Sequence, residues 1–159
     1  MMNEKMKMEL ELIRYVRKSI LKLVDNLSAE QFNHVPANMK NNVIWNIGHM
    51  VFTQQILCYQ LGGLQPTIDV AYFAQFAPDT LPGEPISEEE IAHIKLTFID
   101  AFEQLAEDAL SDKLQNYQPW TLPSGIAIEN FESAMLTNLV HEGRHFGVVI
   151  SLVKLLGEN

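Results

Sequence analysis

Cysteine is nearly absent from this chain. Cys58 stands alone among apolar neighbours of a helical stretch, so no internal disulfide can form. It reads as a buried, inert thiol of a protein kept in a reducing compartment. Positive charge is scarce as well: 11 Lys and Arg face 20 Asp and Glu, for a formal net charge of −9. The few cations are scattered. A phosphate backbone or an anionic bilayer would be repelled by such a surface, which excludes nucleic acid and membranes as partners. No apolar run approaches the roughly 18 residues that a membrane span requires. The opening residues, MMNEKMKMELELIRYVRKSI, carry charges throughout and lack the apolar core of a secretory signal. A cytoplasmic location is expected. Nothing alternates convincingly at period two, and neither an internal repeat nor a low-complexity segment is found.

What is there is helical. Four long segments repeat apolar residues at a period near 3.6. The first runs from about Asn3 to Leu27, with Met6, Leu10, Ile13, Val16, Ile20, Val24 and Leu27 on one stripe. Glu9 and Glu11 early and Arg14, Arg17, Lys18 and Lys22 late complement its dipole. Ser28 with Gln31 forms a capping-box pattern that opens a short turn, stopped by Pro36. A second helix starts at Asn42 and runs to Leu61, closed by Gly62-Gly63. Leu64 to Ile86 is irregular and rich in proline, with one packed aromatic turn from Val70 to Phe76. Ser87 and the following Glu88, Glu89 and Glu90 start a third helix, whose Ile91, Ile94, Phe98, Phe102, Leu105 and Ala109 face inward. The fourth runs from about Ile128 to Leu156 and ends at Gly157. Its Gly143 and Gly147, one turn apart, point to close approach by another helix or a second subunit, and a homodimer is expected. The chain is thus expected to be all-α, a single domain over residues 1–159, built as a four-helix bundle with long crossing connections.

Three histidines interrupt the apolar pattern. His141 and His145 stand four residues apart on the same side of the fourth helix as Ala134, Asn138, Val148, Val149 and Leu152. That spacing sets two imidazoles one above the other, able to close on one ion. His49 lies deep in the apolar string Trp45-Asn-Ile-Gly-His-Met-Val-Phe52 of the second helix. A lone histidine on an apolar face is more often a hydrogen-bonded core residue, but three such residues point to a divalent metal with an open coordination position. Asn46 and Asn138 each stand one turn before a histidine and are candidates to orient the imidazoles or to be core amides bonded elsewhere. His34 and His93 read as solvated. Glu142 follows a ligand candidate; it reads either as a catalytic proton acceptor or as a solvated helix residue.

His141-Glu-Gly-Arg-His145 also matches H-E-x-x-H, the zinc-protease pattern. The context does not fit. Val148 and Ser151 stand where the extended form has glycine and histidine, and no strand is available to bind a peptide in extended form.

The arrangement resembles the DinB/YfiT-like family of metalloenzymes. The resemblance rests on Leu27-Ser-Ala-Glu-Gln31, on Trp45-Asn-Ile-Gly-His49, and above all on Leu139-Val-His-Glu-Gly-Arg-His-Phe-Gly147. It implies a four-helix bundle with a three-histidine site for a divalent metal, carried here by His49, His141 and His145. Members with known activity resemble thiol-dependent transferases or isomerases that use glutathione, mycothiol or bacillithiol. A small-molecule substrate, with a low-molecular-weight thiol as partner, is therefore expected. Imidazole ligands suit several metals, with Zn or Ni expected ahead of Fe or Mn. A coordinated thiol is deprotonated and can attack an electrophile without a protein nucleophile. Two other classes stay open: a metal or small-ligand binding protein without turnover, and a purely structural bundle.

Overall fold

The computed structural model describes residues 4–157, with the backbone alone at residue 112. Helix α1 spans Glu4–Leu23 and buries Met6, Leu10, Ile13, Val16 and Ile20, the expected stripe. It ends four residues early. Val24 N–H still bonds Ile20 O, but Leu27 N–H reaches only Val24 O, so the last turn tightens instead of continuing. Asn3, the expected start, lies outside the described residues. Arg17, one of the basic residues that complement the helix dipole, is wholly buried.

Ser28 and Gln31 make the reciprocal capping box of α2, Ala29–Asn33. Helix α3, Val43–Cys58, opens with the Asn42 side chain accepting from Trp45 N–H at 2.9 Å. It stops at Cys58, and a 3₁₀ turn, Gln60–Gly62, takes the chain to Gly63 in a left-handed conformation at φ 76°. The expected aromatic turn is α4, Val70–Phe73, followed by a 3₁₀ turn, Ala74–Phe76, that buries Phe73 and Phe76. Helix α5, Glu88–Ala109, begins in a Ser87–Glu90 capping box and buries Ile91, Ile94, Phe98, Ala101, Phe102 and Leu105.

Two strands of two residues each, β1 Trp120–Thr121 and β2 Ala127–Ile128, pair antiparallel in the crossing loop. They are too short for period-two alternation to show in the sequence. Ile128 therefore belongs to a strand. Helix α6, Phe131–Gly157, starts three residues later, where the Asn130 side chain accepts from Ser133 N–H at 2.9 Å.

The chain is mostly helical. Among the four long helices, α3 packs on both α5 and α6, and α1 packs on the same two. Their apolar faces form two clusters, one holding Val16, Trp45, Phe73, Phe98 and Val149, the other Leu10, Leu57, Phe102 and Met135. Cys58 is fully buried, and burial pushes its thiol pKa up, as an inert core cysteine requires. No helix among the described residues is long and apolar enough to cross a membrane. The glycine pair of α6 corrects one expectation: a Cβ added at Gly143 or Gly147 meets nothing within 4 Å, so among the described residues no other helix approaches there.

Candidate metal centre

Two helices bring the three histidines together. His49 comes from α3, and His141 and His145 from successive turns of α6. Their ring centroids lie 5.0 Å (His49–His141), 4.7 Å (His49–His145) and 4.4 Å (His141–His145) apart. One nitrogen from each falls within 4.8 Å of the others. His49 and His145 are buried, and His141 is partly so. His34 and His93 are exposed and take no part.

The hydrogen bonds fix the tautomers of two rings. His49 Nδ1 lies 2.7 Å from the carbonyl oxygen of Phe76. A carbonyl only accepts, so Nδ1 carries the proton and Nε2 keeps its lone pair. His145 Nδ1 lies 2.8 Å from Asn46 Oδ1. Asn46 Nδ2 donates to Asn41 Oδ1 at 2.9 Å and to Asn42 O at 2.8 Å, which orients the amide and leaves Oδ1 to accept. His145 Nε2 is thereby also a lone pair. His49 Nε2 faces His141 Nε2 at 3.1 Å, and Thr53 Oγ1 lies 3.4 Å from the same His49 nitrogen. His141 Nδ1 is buried without a hydrogen-bond partner among the described residues.

Neutral imidazoles are what this environment favours. Burial lowers the pKa of His49, and it lowers His145 to about 4 and His141 to about 3, with neighbouring imidazoles and Arg144 adding to the effect on the last two. Converging neutral imidazoles, those of His49 and His145 with second nitrogens held by oxygen acceptors, form a donor set that could hold a divalent metal. The pair at 3.1 Å already has the separation of two ligands on one ion at about 2.0–2.1 Å each.

Neighbours that the sequence reading did not single out hold this arrangement. Trp45 stacks on His49, with centroids 4.6 Å apart and planes 11° from parallel, and its indole N–H donates to Thr80 Oγ1 at 3.0 Å. Gly48 lies under Phe76: a Cβ there would meet the ring at 2.4 Å. Its lack of a side chain lets the turn that supplies the Phe76 carbonyl close against α3. Of the two readings open for Asn46 the orienting one holds, but toward His145 rather than the His49 one turn on. Asn138 is buried but makes no hydrogen bond to His141 among the described residues; it faces Glu142, whose carboxylate pKa it lowers.

Glu142 is no solvated helix residue. It is 0% exposed, and both its oxygens accept from Arg17 Nε at 3.2 Å, with a further bond from Arg17 Nη2. Arg17 also donates to Phe98 O and lies over the Phe98 ring, 4.5 Å from its centroid. The buried stripe of α6 thus runs through Ala134, Asn138, Glu142, His145 and Val149, with His141 at its edge. The reading by apolar residues alone could not place Glu142 in it.

A cavity of about 660 Å³ opens over the histidines. Its walls include Lys40 and Asn41 before α3, Trp45, His49, Thr53 and Leu57 on it, Asp79 to Leu81 after α4, Leu122, and Thr137, His141, Arg144 and His145 on α6. A family model described as the DinB superfamily matches residues 12–149. The chain belongs to the DinB superfamily. All three histidines fall inside the span matched to the superfamily. No curated protein matches the chain.

Proposed function

We propose that the chain is a divalent-metal-dependent enzyme on a four-helix bundle, with His49, His141 and His145 as ligands, and that it catalyses a thiol-dependent S-transfer or a related isomerisation. The observation that carries the metal reading is the pair of Nδ1–H groups, on His49 and His145, committed to acceptors so that both Nε2 lone pairs remain for one ion. The thiol chemistry rests on the family resemblance. Zn or Ni is the metal this reading favours, ahead of Fe or Mn.

When bound, such a metal supplies Lewis acidity that deprotonates a coordinated thiol near neutral pH. The chain's own residues prepare for that. Trp45 holds the His49 plane, Asn46 the His145 tautomer, and Thr53 brings a hydroxyl into the cavity beside His49 Nε2. Proton acceptance inside the cavity is not assigned to Glu142, whose oxygens are engaged by Arg17. That engagement takes the candidate proton acceptor out of the cavity and so favours one second reading, a metal or small-ligand binding protein without turnover. Metal analysis of protein prepared without a polyhistidine tag, followed by thiol consumption against a panel of electrophiles, separates the two. Metal without thiol consumption leaves the binder; no metal, and no thermal shift with zinc or nickel, removes both.

A homodimer is proposed through the outer face of α6. There Leu136 and Val140 are exposed beside Gly143 and Gly147 at helical spacing, with open space above both glycines. Sedimentation of the chain and of Gly143→Arg tests it: a wild-type monomer, or a variant that stays dimeric, removes this face.

A further inference from the structure

We infer that Arg144 selects the ligand of this cavity: it binds the carboxylate of a small molecule whose other end reaches the three-histidine point. The inference rests on the metal reading above. Arg144 precedes His145 on α6 and lines the same cavity as the histidines. It makes no ion pair or hydrogen bond among the described residues, and unlike Lys18, Lys22, Lys95 and Lys154, which also lack an ion pair there, it stands in the wall of the histidine cavity. Lys40, brought in by the segment before α3, lines the cavity too and is likewise unpaired among the described residues. Asp79 is the carboxylate in that lining, and no ion pair joins it to either cation.

Two cations and one carboxylate in the wall of one cavity leave its lining net positive, on a protein of net charge −9. An anionic ligand is repelled elsewhere and accepted here. Arg144 suits a carboxylate because its planar guanidinium offers two parallel N–H donors to the two oxygens. Lys40, a point charge on a flexible stem, steers the ligand and adds less to the fit.

The test uses the cobalt(II)-loaded protein and compares 3-mercaptopropionate with its neutral isostere, 3-mercaptopropionamide, by the thiolate-to-cobalt absorption band. The acid is expected to bind about tenfold more tightly than the amide, the worth of one hydrogen-bonded charge pair. Arg144→Gln should bring the acid to the level of the amide, leaving amide binding and cobalt content unchanged. An acid-to-amide ratio that is the same in wild type and Arg144→Gln overturns the inference. If neither thiol gives the band while cobalt is bound, the thiol reading fails, and Arg144 is judged on glycolate against glycolamide in the cobalt d–d bands. Equal binding of that pair overturns it on its own terms.

Discussion

Arg17 and Glu142 meet inside the molecule with neither side chain exposed, and the carboxylate belongs to the residue next to His141. The guanidinium spans from α1 to α6 and reaches the Phe98 carbonyl of α5, so one cation ties three helices together behind the candidate metal centre. Burial raises the Glu142 pKa while Arg17 lowers it, and burial is the larger effect.

Breaking this pair from one side strands a buried charge. Glu142→Leu should therefore destabilise the protein by about 3–5 kcal/mol, whereas Arg17→Met with Glu142→Leu together should lose much less. Urea unfolding of the single and double variants measures both. A single variant within about 0.5 kcal/mol of wild type would show the pair to be without consequence for the fold.

Stability should depend on pH through the histidines. An exposed imidazole titrates near 6.5, while His145 is lowered to about 4 and His141 to about 3 by burial first, and His49 is lowered as well. Between those values the unfolded chain holds more protons than the folded one, so unfolding free energy rises with pH across the window. The contribution is fully present above about pH 6.5 and is lost as pH falls through 4 toward 3. Thermal unfolding of the metal-free protein should fall over that range, and His141→Gln with His145→Gln should fall less steeply. Identical slopes in the two proteins would mean that the imidazoles are not held neutral by the fold.

Gly48 offers a test that touches no ligand. An added Cβ would lie 2.4 Å from the ring of Phe76, itself 2% exposed. Gly48→Ala should cost about 1–3 kcal/mol by overpacking. It should also shift the Phe76 carbonyl that accepts from His49 and so weaken zinc binding. Calorimetric titration and urea unfolding read the two effects separately, and unchanged zinc affinity would remove the Phe76 carbonyl from the support of the centre.

How much of this was legible beforehand differs by residue. The caps at Ser28, Asn42 and Ser87 were readable because capping is local: a side chain answers a backbone N–H two or three residues on. His49, His141 and His145 stood out because each breaks an apolar face, and the structure brings them together. Arg17 and Glu142 were not legible, since a charge satisfied by a residue 125 positions away looks in sequence like any solvated charge. The carbonyl of Phe76 was invisible for a related reason: every residue has one, and only the turn over Gly48 decides which one meets a ring nitrogen.

Asn46 and His145 together separate the site from the scaffold. Asn46→Leu removes the acceptor that holds His145 in the tautomer with a free Nε2, while all three imidazoles stay in place. Loss of such a partner costs about 10–100-fold in metal affinity. His145→Ala should abolish tight binding outright. Neither change should unfold the protein, because the apolar stripes of all four long helices pack together in the clusters around Phe98 and Phe102. Buried apolar area stabilises at roughly 25 cal/mol per Å² whether or not an ion is bound, unlike a zinc finger, where the metal supplies the folding energy. Circular dichroism and zinc titration of the two variants decide it. Unfolding of His145→Ala would make the centre structural, and full zinc affinity in it would take His145 out of the ligand set. Affinity of Asn46→Leu equal to wild type would show that the ring needs no partner to present Nε2.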